Sequence, residues 1–210
     1  MKQPLSADLP FAEGYVLPID KPLGWTSSDV VRKIKVMMRR LGHRKIKVGH
    51  AGTLDPLATG ILIVCLGRAT KQAEALQAQP KEYLTTLALG ATTPSFDMEH
   101  PVDRTFPYEH ITRQMLEEAL RTMEGEQMQL PPVYSAKSID GKRAYEYARQ
   151  GTEVEMRRAP VTVYGMRLES FEPPRATLRI RCSKGTYIRS IARDLGEKLG
   201  SGAYLTALCR

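Results

Sequence analysis

Residues 49–60 read GHAGTLDPLATG, and the apolar run ILIVCL follows directly at residues 61–66. Glycines permit tight turns and the close approach of a ligand to the backbone, so the first segment predicts a loop. The apolar run has the length and composition of a buried strand. Asp55 precedes a proline, which favours an extended backbone at the aspartate. Together the two segments predict a carboxylate that a rigid loop presents beside a buried strand.

The chemistry of Asp55 has two interpretations at this stage. A carboxylate on such a loop can serve as a nucleophile or a base. Alternatively, Asp55 accepts hydrogen bonds from loop amides, as aspartate often does before proline, and the residues alone favour this second interpretation. A P-loop is a poor match because no Gly-Lys-Ser/Thr follows. A zinc site is poorly supported because His50 and Asp55 lack helical spacing.

The segments around this loop alternate irregularly between the apolar spacing of helices and the alternation of strands. Apolar residues at helical spacing predict helices, and polar–apolar alternation or short apolar runs predict strands. The predicted strands are at residues 15–20, 61–66, 82–89, 161–168 and 177–182, and the predicted helices are at 28–41, from 112 to a stop at 125, 142–150 and 187–199. Ser27 or Ser28 is the expected cap of the first helix. Residues 1–14 are predicted to be a loose arm and residues 90–109 a loop. The pattern favours an α+β domain with a mixed or antiparallel sheet.

Length, composition and cysteine usage narrow the class of protein. The chain has 210 residues, of which 42% are hydrophobic and 26% charged, typical of a globular protein of one domain or one domain with a small appendage. Cys65, Cys182 and Cys209 form no CxxC pair, so neither a disulfide framework nor a zinc ribbon is indicated. This usage fits the reducing cytoplasm. No apolar run is long enough for a signal peptide or a membrane span.

The charge is concentrated next to the glycine-rich loop. The net charge is +8, and no acidic residue occurs between Asp29 and Asp55. That interval holds the basic residues Arg32, Lys33, Lys35, Arg39, Arg40, Arg44, Lys45 and Lys47. The absence of acids favours phosphate binding over a merely solvated helix face. A membrane-surface helix is disfavoured because the apolar stripe lacks Trp and Phe and is needed for the core.

The loop at residues 49–60 resembles the signature loop of the bacterial TruB-type tRNA pseudouridine synthases, with a nearly complete match across its twelve positions. Other segments resemble motifs of the same family in the same order. They are DKPLGWTS at 20–27, KEY at 81–83, PPVYSAK at 131–137 with Gly141, Tyr145, Ala148 and Arg149, CSKGTYIRS at 182–190, and DLG at 194–196. The resemblance covers roughly residues 15–210. It implies a mixed, mainly antiparallel sheet flanked by helices, with a central catalytic cleft.

The resemblance also implies a reaction. Enzymes of this family convert uridine 55 in the T arm of tRNA to pseudouridine, by cutting the N1–C1′ bond, rotating the uracil and joining C5 to C1′. The base must first be flipped out of the folded RNA. Because the reaction involves neither redox change nor hydrolysis, no cofactor and no metal are expected. The expected partner is therefore the T arm of tRNA, bound by a cytoplasmic monomer without a membrane contact.

Three catalytic residues are implied by the matching motifs. Asp55 corresponds to the catalytic carboxylate, although the sequence does not decide whether it attacks a carbon or removes a proton. Arg189 corresponds to the arginine that pairs with this aspartate, which would keep the carboxylate ionised and oriented. Tyr83 corresponds to the tyrosine that stacks on the flipped base. Without the family, Arg189 would be interpreted as a helix surface residue and Tyr83 as a strand core residue.

RNA contacts are implied for four further residues. His50 corresponds to a histidine that fills the space left in the RNA stack. Tyr187 and Leu208 correspond to walls of the uridine pocket, and Lys21, with Pro22, to a segment that supports the catalytic loop. The pocket-wall and supporting residues are at least as compatible with packing as with direct RNA contact.

The chain departs from the family pattern in three places. The segment TTPSFDMEH at 92–100 keeps Asp97 but loses the acidic–glycine ending, so we expect a differently placed loop without effect on the chemistry. Cys209 stands where arginine is frequent, which would weaken an RNA contact. The chain ends at Arg210, so the predicted organisation is an arm at 1–14 and a catalytic domain at 15–210, without the C-terminal PUA-type RNA-binding domain.

Three other functions are compatible with parts of this pattern. A catalytically idle RNA-binding module would make Asp55 dispensable. A glycosidic-bond hydrolase usually needs two carboxylates facing one bond, whereas the matched set offers Asp55 with an arginine. A pseudouridine synthase guided to another RNA would be expected to carry accessory extensions.

Overall fold

The computed structural model describes residues 9–135, 137–139, 141–152 and 155–210. The chain forms two compact units: the first ends at Gln79 and also includes Cys209 and Arg210, and the second runs from Pro80 to Leu208. Helices and strands occur in both units, which confirms the predicted α+β class. No described helix is long and apolar enough to cross a membrane.

The first unit is built around one long strand. Its elements are β1 (Tyr15–Lys21), α1 (Ser27–Arg40), β2 (Val48–His50), β3 (Ala58–Leu66), a 3-10 helix (Gly67–Gln72) and α2 (Ala73–Ala78). β3 pairs antiparallel with β1, with Lys21 opposite Gly60, and antiparallel with β2, with His50 opposite Val64. The predicted strand at 61–66 therefore starts earlier, at Ala58. The loop that carries Asp55 connects the paired strands β2 and β3.

Helix α1 occupies almost the predicted range, but its cap differs from the prediction. Thr26 is the N-cap: its side chain accepts a hydrogen bond from the Asp29 amide, while the Asp29 carboxylate accepts one from the Thr26 amide. This reciprocal capping box satisfies two amides that a helix start leaves unpaired. The prediction of Ser27 or Ser28 was wrong, and the Ser27 hydroxyl is left to bond elsewhere.

The described part of the predicted N-terminal arm is packed. Phe11 is fully buried and makes edge-to-face contacts with the rings of Tyr15 and His43 at 5.5 and 5.4 Å. Such pairs add about 0.5–1.5 kcal/mol to the burial of the rings. Residues 9–14 are therefore anchored to the first unit, which corrects the expectation of a loose arm there; residues 1–8 lie outside the described range.

The second unit contains most of the sheet. Its elements are β4 (Lys81–Leu89), β5 (Ala91–Thr92), β6 (Arg104–Thr105), α3 (Arg113–Thr122), β7 (Gly125–Gln129), β8 (Ser138–Ile139), β9 (Lys142–Arg143), α4 (Ala144–Arg149), β10 (Ala159–Glu172), β11 (Arg175–Cys182), α5 (Ile188–Lys198) and β12 (Ala203–Cys209). The strand order within it is β12-β4-β11-β10-β7. The pairings of β4 with β11, β11 with β10 and β10 with β7 are antiparallel, as predicted for most of the sheet.

One face of this sheet packs against α3 and α5. Leu178 and Ile180 of β11 are fully buried together with Leu120 of α3 and Leu195 of α5. Burying a side chain of this size contributes about 1.5–3 kcal/mol. The position of α5 is functionally important because the two site candidates Tyr187 and Arg189 lie at its beginning.

Candidate active site

A short loop presents Asp55 in the first unit. Residues 51–57 are irregular, and Ala58 donates a backbone hydrogen bond of 3.0 Å to the Asp55 carbonyl, which closes a turn around Pro56. Gly52 has φ +100°, a backbone conformation that favours glycine. Asp55 is half-buried, whereas the preceding Leu54 is only 4% exposed. The side chain of Leu54 thus anchors the loop while the Asp55 carboxylate remains partly accessible.

Ser27 fixes the backbone immediately before Asp55. Its hydroxyl accepts a 2.9 Å hydrogen bond from the Leu54 amide and donates a 3.1 Å hydrogen bond to the Leu54 carbonyl. Ser27 itself is 3% exposed. One buried hydroxyl therefore satisfies both backbone groups of a loop residue that has no strand partner.

Lys21 fixes the backbone immediately after Asp55. Its buried ammonium donates to the carbonyl oxygens of Pro22, Trp25 and Pro56 at 3.0, 2.6 and 3.3 Å. Burial lowers the pKa of Lys21, and the negative charge of Asp55 partly opposes that shift. These three hydrogen bonds join the segment at 21–25 to the Asp55 loop and use all three protons of the ammonium.

Arg210 ties the loop to β3. Its guanidinium donates from Nε and Nη2 to the carbonyl of Ile61 at 3.0 and 2.9 Å, and Nη2 also lies 3.5 Å from the Gly52 carbonyl. The backbone of Arg210 packs so tightly on Gly60 that a Cβ there would lie 2.3 Å from the Arg210 carbonyl oxygen. Apart from Gly60, no local sequence pattern predicted this contact of Arg210.

His50 ends β2 at the start of the same loop. Burial lowers its pKa, and the positive charge of Arg210 acts in the same direction, opposed by a hydrogen bond with the backbone of Gly52. A neutral imidazole is therefore favoured over the imidazolium. A neutral flat ring suits the predicted role beside stacked bases better than a solvated cation.

Arg189, in the second unit, is buried at the start of α5. It is 4% exposed, and its Nη1 donates to the carbonyl oxygens of Tyr134 at 2.8 Å and Ser95 at 3.3 Å. Its Nε lies 3.6 Å from the Asp97 carboxylate. The earlier interpretation of Arg189 as a surface residue is therefore excluded.

The loop at 92–100 contacts Arg189 through Ser95 and Asp97. Asp97 is 6% exposed, and its Oδ1 accepts hydrogen bonds from the Ser95 hydroxyl at 2.6 Å and the Glu99 amide at 2.9 Å. Its Oδ2 faces Arg189. The loop therefore supplies both a carbonyl and a carboxylate to Arg189, and the expectation that its altered sequence leaves the chemistry unaffected stays a prediction.

The remaining predicted residues of the second unit are held by the sheet and α5. Tyr83 lies on β4 opposite Ile180, half-buried, and packs with Leu208 against the core of this unit. Tyr187 precedes α5. Its amide donates a 2.8 Å hydrogen bond to Oε1 of Gln129, and its carbonyl accepts a 3.1 Å hydrogen bond from Nε2 of the same side chain. Gln129 is 2% exposed, so these two hydrogen bonds fix the backbone at the start of α5.

The predicted site residues are thus divided between the units. Lys21, His50 and Asp55 belong to the first unit, and the others belong to the second: Tyr83, Tyr187, Arg189 and Leu208. Among the described residues, no cluster of three or more His, Cys, Asp or Glu side chains has an arrangement suited to a metal ion.

Comparison with known proteins places these residues in a family. The family described as TruB family pseudouridylate synthase (N terminal domain) matches residues 39–188, a range that contains Asp55, Tyr83 and Tyr187. A protein of Phocaeicola vulgatus named tRNA pseudouridine synthase B is 56% identical over 201 residues, covering 95% of this chain and 86% of the relative. Proteins of the same name from Bacteroides fragilis and Flavobacterium johnsoniae are 54% and 46% identical, covering 95% of this chain and 86% and 88% of their own lengths.

Solved structures show the same fold. A chain from a Cbf5-Nop10-Gar1 complex superimposes with a TM-score of 0.73 at 28% identity over 98% of this chain. A chain from an H/ACA RNP bound to a substrate RNA containing 2′-deoxyuridine gives 0.66 at 27% identity over 93%. This chain spans 50% and 46% of the length of those two chains. The family match and the identity to relatives over most of their length show that the chain belongs to the TruB family of pseudouridylate synthases.

Proposed function

We propose that this protein isomerises uridine 55 in the T arm of tRNA to pseudouridine. The observation that carries this function is the family match over residues 39–188, which includes the Asp55 loop, together with relatives named tRNA pseudouridine synthase B. The net charge of +8 suits a polyanionic substrate.

In this function, Asp55 is the catalytic carboxylate. The N1–C1′ bond breaks, the uracil rotates, and C5 forms a bond to C1′; C5 then loses a proton and N1 gains one, so the composition of the RNA is unchanged. Ser27 and Lys21 hold the backbone on the two sides of Asp55, which restricts the directions in which its carboxylate can point. Such positioning is a large part of catalysis, because a well-oriented group avoids the entropic cost of alignment.

Arg189 is the proposed ionic partner of the catalytic carboxylate, and Tyr83 is the proposed stacking partner of the flipped base. The buried position of Arg189, oriented by two carbonyls and Asp97, suits a cation with a fixed direction. The phenol of Tyr83 offers a flat π face to a base. His50, Tyr187 and Leu208 are the proposed RNA-contacting residues around it.

The test compares the protein with Asp55→Asn and a matched variant, Asp20→Asn. Asp20 is an exposed carboxylate of β1, and the same substitution there removes one charge without touching the loop. Each protein is incubated with unmodified tRNA, pseudouridine is mapped by position, and the dissociation constant for tRNA is measured separately. We expect product at position 55 from the protein and from Asp20→Asn, none from Asp55→Asn, and similar tRNA binding by all three.

Two outcomes contradict this proposal. Product formation by Asp55→Asn would show that the carboxylate is not catalytic. Tight tRNA binding by the unmodified chain without any product would favour the RNA-binding module.

We also propose that the enzyme acts as a cytoplasmic monomer without metal. The three cysteines are free, as a reducing compartment requires. Light scattering during gel filtration should give a mass near the 23.5 kDa of one chain, and EDTA should leave the rate of pseudouridine formation unchanged.

A further inference from the structure

A groove with aromatic and cationic walls lies at the start of α1, within the first unit. It has a volume of about 470 Å³. Its lining residues are Gly24, Trp25, Asp29, Arg32, Lys33 and Val36. Arg32 and Lys33 belong to the basic stretch that is predicted to bind phosphate, whereas the other lining residues have no part in the predicted catalytic or RNA-contacting set.

The apolar part of the groove is exposed to solvent. Trp25 and Val36 are 37% and 40% exposed, and the adjoining Leu23 is 64% exposed. Scattered exposed apolar side chains are ordinary in globular proteins. Here, however, an indole and an isopropyl group line one concave surface, and covering them would remove apolar area from water.

The charge of the groove favours an anionic occupant. Arg32 and Lys33 contribute two positive charges, and the sequence from Val30 to Leu54 contains no acid. The single acid of the lining is Asp29. Its carboxylate accepts hydrogen bonds from the Thr26 amide and hydroxyl at 3.0 and 2.6 Å and forms an ion pair with Arg32 at 3.2 Å. Asp29 therefore neutralises part of the charge of Arg32, and the lining keeps a net charge of +1; because the ion pair is exposed, a phosphate can compete with Asp29 for the guanidinium.

Trp25 is also rigidly connected to the catalytic loop. Its carbonyl accepts the 2.6 Å hydrogen bond from Lys21, whose ammonium also bonds the Pro56 carbonyl. Two residues further along, Ser27 bonds both backbone groups of Leu54. A ligand that presses on Trp25 therefore contacts the same turn that holds the residues on either side of Asp55.

We propose that this groove is a second RNA-binding site, in which an unpaired base of the tRNA substrate, other than the reacting uridine, stacks on Trp25 while Arg32 and Lys33 bind the flanking phosphates. Indole rings and cations together are the usual recognition elements for unpaired nucleotides. This inference rests on the proposed function, since it identifies where the same substrate makes an additional contact.

An anionic membrane is the less favoured occupant. A helix that lies on a membrane buries a continuous apolar face in the lipid. The apolar face of α1, formed by Val30, Ile34 and Met38, is already buried in the protein. The groove therefore offers lipid only Trp25 and Val36.

The first measurement uses the fact that Trp25 is the only tryptophan of the chain. Its emission is recorded in the Asp55→Asn variant, which should bind RNA without turnover, during titration with unmodified tRNA. We expect saturable quenching with the same midpoint as direct tRNA binding, together with reduced quenching by acrylamide. Anionic phosphatidylserine vesicles should leave the emission unchanged.

The second measurement uses variants of the otherwise unaltered chain. Because stacking of one base on an aromatic ring is worth about 1–3 kcal/mol, Trp25→Ala should weaken tRNA binding and raise KM by about tenfold, with little change in kcat. Trp25→Phe keeps a flat ring and should retain most of the affinity. The double substitution Arg32→Gln and Lys33→Gln should reduce the slope of log K against log salt by about 1.4–1.8, since each phosphate contact contributes about 0.7–0.9.

Arg121→Gln is the control for loss of a positive charge outside the groove, because Arg121 is an exposed residue of α3. It should reduce neither the affinity nor the salt slope to the extent seen in the groove variants. Thermal melting verifies that each variant is folded; if Trp25→Ala is not, the emission of Trp25 and the charge variants still decide the question.

The possible failures are distinguishable. If the unmodified chain forms pseudouridine but tRNA leaves Trp25 emission and acrylamide quenching unchanged, the groove is not an RNA site while the proposed function stands. If Trp25 emission changes with vesicles but not with tRNA, the groove binds a membrane surface and not RNA. If neither product nor tRNA binding is found, the proposed function and this inference both fail.

Discussion

Replacing Ser27 with alanine should release the loop before Asp55. The substitution removes one hydroxyl that makes two hydrogen bonds, of 2.9 and 3.1 Å, with the amide and carbonyl of Leu54. Ser27 and Leu54 are 3% and 4% exposed, so water has poor access to the groups that lose their partner. Since the loop is held from the other side by Lys21, the expected change is a local displacement rather than global unfolding.

The magnitude follows from the two backbone groups left unpaired. A buried polar group without a partner costs about 1–3 kcal/mol, so two of them should lower the free energy of unfolding by about 3 kcal/mol after some relaxation. In a protein of this size, 1 kcal/mol corresponds to about 2–4 °C, so the melting temperature should fall by roughly 6–12 °C. A displacement of the carboxylate by about 1 Å should lower kcat by about a hundredfold.

Ser28→Ala is the matched control, because Ser28 is the neighbouring residue of α1 and is exposed. It makes the same change in side chain and helix propensity but removes no buried hydrogen bond, so its effect should stay within about 0.5 kcal/mol. Melting followed by circular dichroism and single-turnover pseudouridine formation at 25 °C measure the two effects. If Ser27→Ala matches Ser28→Ala in both assays, the Ser27 hydroxyl does not fix the loop and the reasoning is refuted.

Two further predictions concern ionisable groups. Burial raises the pKa of Cys65 and raises that of Cys182 to about 11, so in the native protein at pH 8 a thiol reagent should label the exposed Cys209 and spare these two; rapid modification of all three would contradict the packing. Burial lowers the pKa of His50, so below its ordinary value of about 6.5 the unfolded chain binds a proton that the folded chain does not, and stability falls as the pH falls. Relative to the unmodified chain, His50→Gln should therefore be more stable at pH 5 than at pH 8 by thermal melting, and an equal difference at both pH values would show that His50 titrates alike in both states.

The elements with strong periodicity were predictable because their local signals agree with their packing. The helix predicted from Thr112 is α3, with the Thr112 hydroxyl accepting a 3.2 Å hydrogen bond from the Met115 amide. Leu116 and Leu120 of its apolar stripe are buried as expected, whereas Met115 is 37% exposed. A cap and a repeating stripe are local properties, and the sequence contains them in full.

Seven strands were not predicted, namely β2, β5, β6, β7, β8, β9 and β12, and two of them illustrate the reason. β7, with the sequence GEQMQ, is the end strand of the second unit and pairs only with β10 in the described order. Most of its side chains are exposed, so the segment carries no apolar alternation. β12 follows Gly200 and Ser201, which are typical of a loop and obscure the start of the strand. In both cases the neighbouring strand decides the structure, which periodicity within one segment does not reveal.

The contacts that hold the Asp55 loop likewise depend on residues distant in the sequence, which a local pattern does not reveal. Lysine is usually solvent-exposed, and burying its charge is costly unless hydrogen bonds compensate it. Lys21 is nevertheless fully buried, with three carbonyl oxygens around its ammonium and the charge of Asp55 nearby. Composition and periodicity would place this side chain in water, and only the match to DKPLGWTS pointed to a support of the loop. The segment 20–27 binds the backbone of residues 54 and 56, and the proposed catalytic role of Asp55 gives a reason for the cost of burying Lys21, because that role needs a carboxylate with a fixed direction. The two motifs are therefore one structural unit: DKPLGWTS supplies the ammonium and the hydroxyl, and GHAGTLDPLATG supplies the Leu54 amide and the Leu54 and Pro56 carbonyls that they bind on the two sides of Asp55.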